Sequence, residues 1–280
     1  MRIRVIGSAA GKPTPRPFCD CRVCRHATRH GGEDVRTRTH AHLFLDGDAG
    51  AEPRYAIDLS PDLPAQMVRA GFRLTRLEHL LVTHAHDDHL FVDGLHWRPS
   101  IRSAFEDLPV LTVYGSSAVA DRVLDGGTDL ARLRLRMQVV EPGQRFRSGE
   151  LDVLALEANE VPAPALNYIA SHGGRHALLA WDTAPWTDST WSQIEGERVD
   201  AVFTECTAFG PDLEPGPRHM TFDQVREMRA GLIARGVMSP ETPHITVHQG
   251  DNGGLTHAEM VELGARHGVT PSYDGFELSV

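Results

Sequence analysis

The sequence predicts an α/β chain folded as a single αββα sandwich, and three observations carry that expectation. Strand-like segments of hairpin spacing crowd the first sixty residues, at Ile3–Ile6, His40–Asp46 and Tyr55–Asp58. From Ser60 onward, short apolar runs alternate with stretches of helical period, which places helices among and outside sheets rather than in a bundle. No internal repeat, linker or low-complexity tract divides the 280 residues, a length that one large domain of this class fills. One domain over residues 1–280 is therefore expected.

In chain order, Ile3–Ile6 leads into Gly7-Ser8-Ala9-Ala10-Gly11-Lys12-Pro13, a loop of small residues. Its glycines either bring backbone N–H groups near a substrate oxyanion or only turn the chain tightly. Cys19, Cys21 and Cys24 follow, then a basic segment from Arg25 to Arg38 that reads as exposed. His40 and His42 read as surface residues on their strand, not as ligands. Tyr55–Ile57 ends in the carboxylate of Asp58. Ser60-Pro61-Asp62 opens a helix in which Leu63, Met67 and Ala70 share a face, and Gly71 stops it. Leu77–Thr83, with Leu80, Leu81 and Val82, reads as a buried strand.

Val110–Tyr114 is a further strand, and Ser116–Leu124 a helix capped by Ser116 or Ser117. Strands at Leu151–Leu156, Leu166–Ile169 and His176–Trp181, a helix at Asp188–Ile194 and a strand at Val199–Glu205 continue the alternation. Cys206 closes the apolar run from Ala201 and is expected as a buried structural thiol. The helix Thr221–Ala234 sets Val225, Met228 and Leu232 on one face. A strand at His244–His248, a helix at Thr256–His267 and a closing strand near Ser272–Leu278 complete the chain.

With 41% hydrophobic and 24% charged residues the composition is that of a soluble globular protein. No run approaches eighteen apolar residues, so no membrane span is expected. Met1–Gly7 reads as a first strand rather than a signal peptide, and the expected location is the cytoplasm. A net charge of −10 disfavours a broad nucleic-acid surface and leaves a small anionic substrate open. Three of the four cysteines lie within six residues, which suits thiolate ligation of a metal better than a disulfide framework.

The chemistry concentrates in Thr83–Leu90, T-H-A-H-D-D-H-L, directly behind the apolar strand. Residues i and i+2 leave a strand end on the same side, so His84 and His86 can hold one ion together. Once the chain turns near Asp88, Asp88 and His89 point elsewhere and can hold a second. Imidazole and carboxylate suit zinc, iron or manganese, and ions about 3.5–4 Å apart form a known hydrolytic pair.

This H-x-H-x-D-H stretch resembles the signature of the metallo-β-lactamase superfamily, whose fold is the αββα sandwich. The resemblance extends over nearly the whole chain. It implies that Asp58 orients the motif, that Asp182, ending Leu178–Trp181, bridges the two metals, and that His248, ending Ile245–Val247, is the last His ligand. One family ligand is missing, a His after the strand Leu151–Leu156. Asn159 is the nearest positional match, with Glu157 and Glu160 as carboxylate substitutes, and a carboxylate-rich site leans toward iron or manganese.

Gly7–Gly11 together with Cys19-x-Cys21-x-x-Cys24 resembles two groups within the superfamily. One is the phosphodiesterase of the carbon–phosphorus lyase pathway, and the other the pyrroloquinoline quinone biosynthesis protein B family. Both hold a structural zinc on these cysteines, which implies one here over a loop at about 19–30. By position the fourth ligand is Asp251, with His26 and His257 as rivals. The intact H-x-H-x-D-H resembles the phosphodiesterase. Leu59–Gln66, Asp251-Asn252, the ending Tyr273–Leu278 and the lost His resemble the quinone-pathway proteins.

His219, before the helix at Thr221, matches a general acid or phosphate contact of phosphodiesterases of this fold, or else merely opens the helix. Arg98 is either an anion contact or an exposed salt-bridging residue. The function the resemblance implies is a binuclear hydrolase, a phosphodiesterase acting on a small phosphate ester through metal-activated water, with Asp88 and His219 in the chemistry. The alternatives are an iron-dependent oxygenase and a carrier in a biosynthetic pathway. Two active-site ions (Zn, Mn or Fe), one structural Zn, a small anionic substrate and no nucleic-acid or membrane partner complete the expectation. Dimers are common in the resembling families, which extends a homodimer to this chain. Loops near Leu90–Ser103 and Val161–Leu166 are expected to shape the pocket.

Overall fold

A computed structural model of the chain describes residues 1–48, 52–99 and 105–280. Its first half runs β1 (Arg2–Gly7), α1 (Arg22–His30), β2 (His40–Phe44), β3 (Tyr55–Ile57), α2 (Leu63–Ala70), β4 (His79–Leu81), α3 (Val92–Leu95), β5 (Leu111–Gly115), α4 (Ser117–Leu124) and β6 (Leu135–Val139). The second half runs β7 (Arg145–Ser148), β8 (Leu151–Ala158), β9 (Ala165–His172), β10 (Arg175–Ala180), α5 (Asp188–Gln193), β11 (Ala201–Glu205), α6 (Phe222–Ala234), β12 (His244–Val247), α7 (His257–Ala265), β13 (Thr270–Pro271) and β14 (Glu277–Ser279). One sheet has the order β14-β1-β2-β3-β4-β5-β6 and the other β13-β12-β11-β10-β9-β8-β7. The expected αββα sandwich is the observed fold.

The layers follow from which side each apolar residue takes. On β4, Leu81 joins Val5, Leu43, Tyr168, Trp181, Phe203 and Val247 between the sheets, while Leu80 faces outward with Leu63, Leu90 and Val119. That strand is covered on both faces, which explains its continuous apolar run. The second sheet's outer face packs under α6 through Phe222, Val225, Met228 and Leu232, with Cys206 fully buried beside them. Thr221 caps α6, its hydroxyl accepting from Gln224 N while Gln224 returns the bond to the Thr221 backbone.

Two sequence expectations fail. The Arg25–Arg38 segment is not simply exposed: α1 buries Ala27, and Arg36 is 4% exposed. The Arg36 guanidinium donates to Ser8 Oγ (2.9 Å) and the Ser272 carbonyl and meets His257 Nδ1 at 2.8 Å. It thereby ties the first loop to the turn after β13 and to the start of α7. His40 and His42 are buried, not at the surface; His40 Nδ1 lies 2.7 Å from the Asp58 carbonyl and the two Nε2 atoms lie 3.0 Å apart. Burial holds both imidazoles below their ordinary pKa, His40 at about 4.

Candidate metal centre

Parallel register gathers the site. β3 pairs with β4 through Ile57↔Leu81, and β10, β11 and β12 align through Ala180↔Thr204↔Thr246. The residues just past these strands, Asp58, Thr83, Asp182, Glu205 and His248, therefore emerge at one edge of the sandwich. Ligands of open α/β sheets gather at that carboxyl edge.

Asp182 sits at the middle. Its Oδ2 lies 3.3 Å from His84 Nε2, 3.4 Å from His89 Nε2 and 3.5 Å from His248 Nε2. On one side His84, His86 and Asp182 offer ligand atoms within 4.8 Å of one another, with His84 Nε2 and His86 Nδ1 at 2.8 Å. On the other, Asp88, His89, Asp182 and His248 do the same. Asp88 Oδ2 is 3.3 Å from His89 Nε2 and 3.6 Å from His248 Nε2. The motif divides between two ligand groups as its spacing leads one to expect, and Asp182 is common to both as the family resemblance implies.

The far ring nitrogens show which atoms are left for a cation. His89 Nδ1 is held by Asp58 Oδ2 at 2.7 Å, His84 Nδ1 meets Thr83 Oγ1 at 3.0 Å, and His248 Nδ1 meets Thr207 Oγ1 at 2.9 Å. Asp58 also accepts from Thr83 N at 2.8 Å. Each fixed nitrogen leaves Nε2 facing Asp182. His89 Nε2, His248 Nε2 and both Glu160 oxygens are buried without a hydrogen-bond partner among the described residues. Buried lone pairs left unmatched and convergent are costly unless something fills them, and a divalent cation on either side of Asp182 fits this donor set. Burial opposes ionisation of Asp182, but His248, His219, His84 and His89 hold its carboxyl well below the usual range.

The candidate substitutes for the missing His stand in different places. Asn159 is exposed and turned away, its amide donating to the Pro185 carbonyl at 2.8 Å. Glu157 lies on β8 outside these ligand groups. Glu160 turns inward, 6% exposed, with Oε1 4.0 Å from His86 Nδ1, and joins Asp182 and His219 in a third group. Burial first, then Asp182, raises its pKa. His219 Nδ1 lies 2.9 Å from Asp182 Oδ1. Burial works against its protonation, but Asp182, Glu205 and Glu160 raise the imidazole to about 9.

Glu205 escaped the sequence reading. It is fully buried behind His219 and His248, 4.0 Å from each, and accepts from Thr207 Oγ1 at 2.7 Å and from the Met220 amide. Burial and then Asp182 push its pKa up to about 8. Its place at the end of β11, between Asp182 and His248, was the available signal. Arg98 pairs with no carboxylate among the described residues; it donates to the Leu133 and Pro109 carbonyls at 3.0 and 2.7 Å. Of the loop at Leu90–Ser103, residues 100–103 lie outside the described residues, and Val161 stands exposed beside Glu160.

The cysteine loop closes as a second centre. Asp251 Oδ2 lies 3.8, 3.6 and 3.6 Å from the sulfurs of Cys19, Cys21 and Cys24, and all four cysteines of the chain are free thiols. A tetrahedron with arms of about 2.0 Å to oxygen and 2.3 Å to sulfur has edges of about 3.5–3.8 Å, so the set fits zinc. The rivals are engaged elsewhere, His26 with Asp34 at 3.3 Å and His257 with Arg36.

Among known proteins, the model of the beta-lactamase superfamily domain matches residues 53–239. Coenzyme PQQ synthesis protein B of Cupriavidus necator is 27% identical, over 99% of each chain. In fold, the chain is similar to a diphosphatase from the PhnP family, with a TM-score of 0.74 and 21% identity over 100% of this chain and 97% of that one. It is also similar to Zn(2+)-bound PqqB from Methylobacterium extorquens, with a TM-score of 0.70 and 18% identity over the whole of both. At these identities the structural likenesses establish the fold.

Proposed function

The chain belongs to the beta-lactamase superfamily, and from that premise we propose a binuclear metal-dependent hydrolase acting on a small, anionic phosphate ester. The observation that carries the reading is the single Asp182 oxygen facing both imidazole groups. His84, His86, Asp182 and Glu160 would hold one divalent ion, and Asp88, His89, Asp182 and His248 the other. When bound, such a pair supplies an acidified water and offsets charge growing on phosphoryl oxygens.

The chain's own groups do the rest. Asp58, Thr83 and Thr207 fix the imidazoles so that each presents the same nitrogen throughout turnover. His219, kept protonated by the carboxylates around it, donates its proton to the departing alkoxide. Glu205 positions His219 and His248 from behind. Asp251 and the three thiolates hold a structural zinc that clamps the loop at about 19–30. The whole chain acts as one unit, with no described helix long and apolar enough to cross a membrane. His84→Ala protein should lose turnover of bis(p-nitrophenyl) phosphate; full activity in that variant removes the mechanism.

Glu160 in place of an imidazole supports a second reading, an iron-dependent oxygenase or carrier of the quinone-pathway type, since carboxylate ligands favour iron and manganese. The full-length similarity to coenzyme PQQ synthesis protein B supports it as well. Anaerobic purification, metal analysis and oxygen uptake separate the two: zinc or manganese without oxygen consumption removes the oxygenase, and any turnover lost in His84→Ala removes the carrier.

A further inference from the structure

The proposed chemistry leaves one cation beside the centre without a task. Lys12 is the single lysine of the chain, the other 27 of its 28 basic residues being arginine. It lines a cavity of about 250 Å³ with Gly11, Arg16, Thr207, His219 and Asp251. Backbone bonds hold the loop in place: Ala10 N donates to Gln249 O at 3.1 Å and Gln249 N to Ser8 O at 2.8 Å, directly after His248. A Cβ at Gly11 would come 3.3 Å from Asp88 Oδ2, so the residue before Lys12 lies against a proposed ligand. One wall of the cavity is thus His219 and another is cationic.

The charges in that cavity are unequal in availability. Arg16 donates to Asp251 at 2.6 Å and to Cys19 Sγ at 3.7 Å, so its charge is answered by the zinc-binding set. Lys12 forms no ion pair among the described residues and stands exposed at the cavity. Lysine presents a compact, hydrated point charge on a flexible stem that serves as a common phosphoryl partner, whereas arginine binds carboxylate or phosphate through a fixed bidentate fork.

We propose that Lys12 and this cavity form a subsite for a second phosphoryl group, so that the substrate carries two linked phosphates, the further one on the His219 side of the centre. This rests on the phosphate-ester reading for the reacting phosphorus, while occupancy of the subsite is measurable without turnover. Because the lysine is unique, an amine-reactive succinimidyl ester labels Lys12 and the N-terminus only, and peptide mass spectrometry separates the two. With full-length, metal-loaded protein of verified metal content, ADP should slow Lys12 labelling about tenfold at a concentration where AMP barely slows it, as expected for one charge-assisted contact. In parallel, Lys12→Met should lower kcat/KM for ADP-ribose, where water attacks one phosphorus, the P–O–P bond breaks and a sugar phosphate leaves, about tenfold more than for p-nitrophenyl thymidine 5′-phosphate, where nitrophenolate leaves. Equal protection by AMP and ADP, or an equal effect of Lys12→Met on the two substrates, overturns the subsite. Protection by ADP with neither substrate hydrolysed removes the hydrolase and keeps the subsite; turnover of both substrates without selective protection does the reverse.

Discussion

Asp58→Asn is the perturbation that tests the centre most sharply, because its consequences can be worked through atom by atom. The carboxylate is fully buried and accepts from His89 Nδ1 at 2.7 Å and from Thr83 N at 2.8 Å. Asparagine keeps the shape but only one acceptor oxygen. If that oxygen faces His89, the amide NH₂ meets the Thr83 N–H, and a buried donor left unmatched costs about 1–3 kcal/mol. If it faces Thr83, the NH₂ donates to His89 Nδ1 and drives the imidazole proton onto Nε2, the nitrogen that points at Asp182. Loss of such an orienting group weakens metal binding by about 10–100-fold.

The assay is competition for the two ions against a chromogenic chelator, with thermal unfolding of the stripped protein alongside. One ion, that on the Asp88–His89–His248 side, should weaken by about 10–100-fold while the other stays within about threefold. His86→Ala, which should spare the first and weaken the second, identifies which is which. The stripped variant should melt several degrees lower, at about 2–4 °C per kcal/mol for a chain of this size or somewhat smaller. Two ions bound as in the unaltered protein, with an unchanged melting point, would refute the role given to Asp58.

Two further outcomes follow from the same geometry. Glu160→Ala should weaken the ion on the His84–His86 side by about 10- to 150-fold, the factor for a charge-assisted contact, whereas Asn159→Ala should leave metal content unchanged; the reverse result in metal analysis would return Asn159 to the site. His244, buried against Thr204 Oγ1 at 2.8 Å, is pushed down to about 3 by burial and then by Arg229. The unfolded chain binds that proton below about pH 6.5 and the folded chain does not, so this contribution to stability is complete above pH 6.5 and falls as the pH drops toward 3. By pH 5 the loss is about 2 kcal/mol. Denaturant melts of stripped His244→Gln protein should show a shallower slope between pH 6.5 and 5, and an unaltered slope would mean that other groups carry it.

Most of the centre was legible because strand period carries through to the first residue past a strand. Asp58, Asp182 and His248 each follow an apolar run, the family resemblance singled them out, and parallel pairing within each sheet, β3 with β4 and β10 and β12 with β11, lines up the strand ends that carry them. The same signal stood at Glu205 and was passed over, because a carboxylate at a strand end has no spacing motif to mark it. Asn159 against Glu160 was beyond sequence reasoning for a related reason. β8 ends at Ala158, alternation lapses there, and the direction of the next side chains depends on how the loop meets Thr183 and Pro185. β6 and β7 were missed because edge strands such as Leu135-Arg136-Met137-Gln138-Val139 bury too little to show a period. α1 was missed because only Val23, Cys24 and Ala27 of its nine residues are buried.

The backbone adds a reason why these residue types stand at these ends. Asp58, Asp182 and His248 all adopt left-handed conformations, with φ of 55°, 47° and 51°. For a non-glycine residue that conformation costs on the order of 1–3 kcal/mol, and it persists where the surroundings over-determine it. A strand that continued extended would send the next side chain along the sheet's alternation, into one layer of the core or the other. A left-handed residue breaks that alternation at a single position and frees the side chain to turn toward the other strand ends. Asp and His are among the few side chains enriched in this region, and they are also ligands for borderline divalent cations. Glycine would relieve the strain and supply no ligand; a β-branched residue would supply neither. The requirement for a sharp exit from the sheet therefore selects the same residue types as the requirement for a ligand atom at Asp182 and His248, and at Asp58 for a carboxylate that orients His89. This coupling explains why, of the five non-glycine residues with positive φ among the described residues, Asp58, Asp182 and His248 stand at the centre while only Arg134 and Asp212 lie elsewhere.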